Sequence, residues 1–108
     1  RLADRIAIMK DGAVEQCDTP DQIVLHPATE YVRKFTEEID KARVVHARVL
    51  IEDGLSGEGA PVEANASIQQ LAKLLVKDTR NAIPVAQDGT VIGAMSRARA
   101  LDVLVGAE

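Results

Sequence analysis

Aromatic side chains are almost missing from this chain of 108 residues: Tyr31 and Phe35 stand alone, and there is no Trp. Stacking of successive bases needs aromatic platforms, so single-stranded nucleic-acid binding of that kind is excluded. Basic excess is missing too. The formal charge is −4, with 13 Lys and Arg against 17 Asp and Glu, which removes a surface built to track phosphates. No nucleic acid is therefore expected as a partner. No apolar run approaches the ~20 residues of a bilayer-spanning helix, and no signal-peptide pattern is visible. A single Cys17 excludes an internal disulfide; it reads as a small strand residue in a chain from a reducing compartment.

What is present is an aliphatic core in a chain that is 46% hydrophobic. The length fits one ordinary domain or two very small ones. Ile6, Ala7, Ile8 and Met9 form a continuous apolar run, as in a strand covered on both faces. Asp11-Gly12 supplies the left-handed conformations of a tight hairpin turn, and Ala13 to Cys17 return. Thr19-Pro20-Asp21-Gln22 reads as a helix start, with Thr19 as N-cap, Pro20 in the first helical position and Gln22 completing a capping box. That helix should stop before Pro27. A second helix is expected over 28–41, with Tyr31, Val32, Phe35 and Ile39 on one stripe and the pairs Arg33/Glu37 and Lys34/Glu38 one turn apart.

Residues 44–51 are β-branched and alternate weakly, and EDGLSGEGAP, 52–61, reads as a flexible loop. Its three glycines are not followed by Lys-Ser/Thr or by a helix, so linker is preferred to phosphate cradle. The remaining stretch is regular: a short strand at Val62–Ala64, a capping box Ser67-Ile68-Gln69-Gln70 opening a helix, a strand over Asn81–Ala86, an Asp88-Gly89 turn, a strand over Thr90–Met95, and a last helix capped by Ser96.

Chemistry is sparse in this pattern. His26 and His46 have no ligand-spaced partners and read as a loop and a strand-edge histidine; no metal site is expected. Ser67 and Ser96 sit where N-caps belong, and capping accounts for them without a nucleophilic role. Glu37, Glu38 and Asp40 lie among basic partners as a solvated face. No catalytic residue is assigned. The segment with binding potential is GAMSRARALD, where Gly93 permits close approach of backbone or ligand. There Ser96, Arg97 and Arg99 surround a helix start whose free N–H groups favour an anion.

Two resemblances rest on these residues. DRIAIMKDGAVEQCDTPDQIVLHPATEYVRKF resembles the end of an ABC-transporter ATPase domain, and HPATEYVRKFTEEID is most similar to subunits that power glycine betaine, proline or choline uptake. Cys17-Asp18 departs from it, since that family commonly has a Gly next to the Thr-Pro. AIPVAQDGTVIGAMSRARALDVL is similar to a CBS domain, present once, although CBS motifs usually come in tandem. The resemblances imply an α+β fold: an ATPase tail over 1–43, a linker over 44–61, and a single CBS-like β-α-β-β-α module over 62–108. They also imply a cytoplasmic subunit peripheral to the inner face of the cell membrane, with permease subunits as partners and ATP and Mg used elsewhere in the subunit. The phosphate-binding loop, signature sequence and metal-binding acidic strand are not in this sequence, so these residues should not hydrolyse ATP themselves.

The CBS resemblance further implies a homodimer through the helices of 67–77 and 96–105. It places an adenine mononucleotide or cyclic dinucleotide near Ile83, Pro84, Ser96, Arg97 and Arg99. Arg99 stands where adenosine-binding copies typically carry a ribose-holding Asp. That departure favours the alternative, a dimerising module with no ligand, while an arginine there suits a phosphate.

Overall fold

The computed structural model describes residues 4–106, and its fold is mixed α+β. It opens with the antiparallel hairpin β1 (Ile6–Lys10) and β2 (Ala13–Asp18). Asp11 and Gly12 at its turn have φ of 52° and 80°, the double left-handed conformation of a primed turn. The register skips between Ile8 and Met9, leaving Glu15 as an extra residue in β2. Of β1, Ile8 alone is buried, against Ile23 and Val32, while Ile6 and Met9 are exposed. The expected two-faced covering of this strand is therefore not supplied by the described residues: α1 (Pro20–Leu25) and α2 (Glu30–Phe35) cover one side.

Thr19 has the extended backbone of an N-cap, but its hydroxyl donates to Asp21 Oδ1 (2.7 Å) instead of capping, and no box with Gln22 forms. The hydroxyl acts here as a donor to a charged acceptor, and no helix amide donates to it. The single helix expected over 28–41 is two: α2 ends at Phe35 and α3 (Lys41–Val44) begins after an irregular turn. At the break, the Thr36 hydroxyl bonds back to the carbonyls of Val32 and Arg33, and the Thr36 and Glu37 amides reach carbonyls three residues back. Side-chain competition of this kind tightens and ends a helix. Of the expected stripe, Val32 is buried, whereas Tyr31, Phe35 and Ile39 are exposed. The Tyr31 and Phe35 rings stack on each other at 6.5 Å, with the Lys10 ammonium 5.1 Å from the Tyr31 ring centre.

Residues 44–51 are not a strand, and they are more than a tether. Ala47–Leu50 form a 3-10 turn, and Val45, Ala47 and Leu50 are fully buried. Backbone bonds fix the segment: Ala47 N–H to Ala66 O (3.0 Å), Arg48 N–H to Ala64 O (3.0 Å) and Ile68 N–H to Val45 O (2.9 Å). The main core gathers these residues with Val24, Ile68, Leu75, Ile83, Val85, Met95 and Ala100.

The second sheet has the order β3-β4-β5. β3 (Val62–Glu63) runs parallel to β4 (Ala82–Gln87), and β4 pairs antiparallel with β5 (Thr90–Ser96). With α4 (Ala72–Lys77) and α5 (Arg97–Leu104) the element order is the expected β-α-β-β-α. Asp88 and Gly89 repeat the first hairpin's turn, with φ of 52° and 81°. The Ser67–Gln70 box closes reciprocally: the Gln70 amide donates to Ser67 Oγ (3.1 Å) and the Ser67 amide to Gln70 Oε1 (2.9 Å). Among the described residues, no helix is long and apolar enough to cross a membrane.

The glycine-rich loop lies against the sheet. A Cβ on Gly57 would sit 2.6 Å from the Ala82 carbonyl oxygen and 2.9 Å from Pro84 Cδ, a backbone and a ring that have no room to yield. Gly57→Ala is expected to destabilise the chain by about 1–3 kcal/mol through overpacking, read as a lower denaturant midpoint at unchanged slope.

Candidate functional site

Strand pairing brings the sequence-predicted residues together. Ala82 pairs with Ser96 and Ile83 with Met95, so the start of β4 lies beside the start of α5. Ile83 and Pro84 are buried. Ser96 has the extended backbone of an N-cap, and its Oγ accepts from the Arg99 amide at 3.2 Å. The hydroxyl assigned to a ligand is therefore already used as a cap.

The two arginines are also engaged within the chain. Arg97 Nε donates to Leu75 O (2.8 Å) and Nη2 to Val76 O (3.4 Å), carbonyls in the last turn of α4. A cation there satisfies terminal carbonyls and meets the negative end of the helix dipole. Arg99 Nη1 lies 3.8 Å from Glu52 Oε2, a half-exposed pair between α5 and the start of the glycine-rich loop. Gly93 does permit a close approach, and what approaches is Ile51: its Cγ2 is 2.5 Å from where a Cβ would stand. Ile51 also bridges to Met95, and the Glu52 amide donates to Ala94 O (3.0 Å). The chain itself occupies the space that the sequence left open for a ligand.

The loop that lies on Ala82 and Pro84 is held by residues the sequence reading missed. Arg80 Nη1 donates to Glu58 O (2.8 Å) and Ala60 O (2.9 Å). The same guanidinium grips Asp78 through Nε to Oδ1 (3.0 Å) and Nη2 to Oδ2 (2.6 Å), and the Arg80 amide adds a bond to Oδ1 (2.9 Å). These side-chain bonds first, and the backbone bond second, hold the Asp78 carboxyl well below the usual range, and they raise Arg80. Asp-x-Arg just before a strand was the available signal. Its target, two carbonyls about twenty positions upstream, carries no side-chain signature.

His46, read as a strand-edge histidine, does bridge to Ser67, but it is buried. Its Nδ1 has no hydrogen-bond partner and lies 3.7 Å from Asp21 Oδ2. His26 closes α1, and its carbonyl accepts from Gln16 Nε2 (3.1 Å). Cys17 is an exposed thiol in β2. The expected Arg33/Glu37 pair forms at 3.7 Å, and Arg33 also pairs with Glu30, whose carboxyl is lowered by that bond. Among the described residues, no three His, Cys, Asp or Glu side chains gather as a metal site would require.

The arrangement is a mixed α+β unit in which Ser96 caps its own helix, Arg97 bonds to α4 carbonyls, Arg99 lies near Glu52 and Ile51 fills the gap at Gly93. No protein-family model matches the chain. It is 72% identical over 107 residues to the trimethylamine N-oxide transport system ATP-binding protein TmoW of Ruegeria pomeroyi, covering 99% of this chain and 32% of that protein. The TmoW protein of Pelagibacter ubique is 38% identical over 112 residues, again across 32% of its length. The glycine betaine/carnitine transport ATP-binding protein GbuA of Listeria monocytogenes is 49% identical over 47 residues, 44% of this chain and 12% of that protein. The chain thus spans about a third of the length of the TmoW relatives and is similar to part of ATP-binding transport subunits. A CBS domain-containing protein from Kribbella flavida aligns over 96% of this chain and 78% of its own at 17% identity and a TM-score of 0.39, below what a shared fold requires.

The Asp78–Arg80 grip has a pH signature. A carboxyl depressed in the folded chain contributes stability above its unfolded pKa of about 4 and loses it as pH falls through the folded value. Asp78→Asn is expected to melt lower than the unaltered chain at neutral pH and to show a shallower fall in Tm below about pH 4, measured by thermal unfolding across pH.

Proposed function

We propose that this chain is the C-terminal regulatory segment of an ATP-binding subunit that powers import of a small, fully substituted amine, trimethylamine N-oxide or a betaine. The single observation that carries this reading is the 72% identity that runs through almost the whole chain, tail and module alike. Matches to the betaine and carnitine subunits, three of which extend over 47 or 48 residues, support the same substrate chemistry. In this reading the rest of the subunit binds ATP and Mg, associates with membrane permease subunits from the cytoplasmic side, and covers the exposed side of β1 and β2.

The test is uptake by membrane vesicles carrying the whole transporter. ATP-dependent accumulation of labelled trimethylamine N-oxide or glycine betaine is the expected result, and accumulation of neither refutes the proposal.

For the module, the structural role is the better supported of the two, because Ser96, Arg97 and Arg99 are each engaged within the chain. In that role it pairs with a second copy through α4 and α5, where Leu74, Val76 and Val105 expose apolar surface. Calorimetric titration with AMP, ATP and cyclic di-AMP is expected to give no heat at millimolar ligand. Sedimentation at high micromolar concentration is expected to give a dimer that Val76→Glu dissociates. Heat with any of the three nucleotides restores the sensor reading, and a monomer removes the pairing.

A further inference from the structure

The boundary between the tail and the module is built as a core and not as a linker. Linkers are exposed stretches that few contacts cross, and units joined by them move independently. Here Val24 of α1 is buried in the same cluster as Leu50, Leu75, Ile83 and Met95, and Leu25 of α1 and Val44 of α3 pack against it. Backbone closes the same boundary, with the Gln69 amide on Ala42 O (2.9 Å) and the Ile68 amide on Val45 O (2.9 Å). Asp21 and His46, one from each side, are buried there.

The preceding residue of the same helix belongs to the other body. Ile23 is buried against Ile8 of β1 and Val32 of α2. Successive residues of a helix point about 100° apart, so adjacent positions can enter two different clusters. A two-stranded hairpin is marginal alone and needs a packed face. For β1 and β2 that face is Ile8 on Ile23 and Val32, and of these only Ile23 sits on a helix that also enters the module core.

We propose that α1 is the coupling element of this chain: through Ile23 and Val24 it joins the hairpin and the module into one cooperative unit with no flexible linker between them. Close-packed side chains transmit a displacement and do not absorb it. A displacement of the module core is therefore carried by α1 to β1. On the functional reading above, this is the route by which pairing of the module acts on the ATPase body, and only that purpose rests on that reading.

The test is a urea titration of the chain followed by amide proton–nitrogen NMR spectra, which read each unit residue by residue. In the unaltered chain the β1–β2 and β4–β5 amides are expected to lose their native signals at one midpoint, as coincident probes of a single transition do. Leu75→Ala, buried in α4 and outside the hairpin cluster, is expected to lower both midpoints together by about 1 M or more. Should that variant not fold, Ile83→Val, a smaller loss from the same core, carries the comparison. Val24→Ala and Ile23→Ala, each cutting one side of α1, are expected to split the midpoint, with the hairpin unfolding first. Two midpoints in the unaltered chain, a shift confined to β4–β5, or a common midpoint that survives both α1 variants overturns the proposal. Transport plays no part in these readings, so a transporter that accumulates neither solute leaves them as they are.

Discussion

The constraint on which the structure depends is the burial of residues 45–51. Val45, Ala47 and Leu50 are removed from water entirely, and Ile51 fills the space that Gly93 leaves bare on β5. Burial of a large aliphatic side chain contributes about 1.5–3 kcal/mol, so this short stretch weighs heavily in so small a core. It also fixes topology. The segment is hydrogen-bonded to residues 64, 66 and 68 and bridged to β5, so it holds the end of α3 against both the beginning and the end of the module.

The same packing accounts for the closed state of the candidate ligand site. A helix start with a serine, two arginines and a nearby glycine has every ingredient of an anion site. Here Ile51 lies over the glycine, Arg97 caps the preceding helix, Ser96 caps its own, and the loop over Ala82 and Pro84 is clamped by Arg80. Residues of that description bind an anion only while their donors remain unspent. Ser96 is engaged three positions along its own helix, while Arg97, Arg99 and the gap at Gly93 meet groups more than twenty positions away.

The polar couple at the joint is of another kind. Asp21 and His46 are buried together yet stop short of a hydrogen bond, in a chain whose other buried side-chain polar groups, among the described residues, all find partners. The unfinished contact sits between two apolar clusters that share α1, beside a turn held by local bonds.

Local chemistry was legible in the residues themselves. Asp-Gly turns, the Ser67–Gln70 box, the Ser96 cap and the β-α-β-β-α order follow from interactions within a few positions, and both Asp-Gly pairs adopt the left-handed pair of conformations expected of them. The resemblance to ATP-binding transport subunits was likewise carried by the wording of the chain, and its relatives bear it out. What the sequence could not decide were matters of competition between distant groups. Thr36 turns a helix back on itself, and a β-branched stretch that alternates weakly becomes a buried 3-10 turn against residues 64–68. Sequence by itself determined the Asp-Gly turns, the Ser67–Gln70 box, the Ser96 cap and the kinship of this protein, because those are written in neighbouring residues. Tertiary structure alone decided which donors stay free, what fills the gap at Gly93 and where the two units meet, because each depends on which distant atom arrives first.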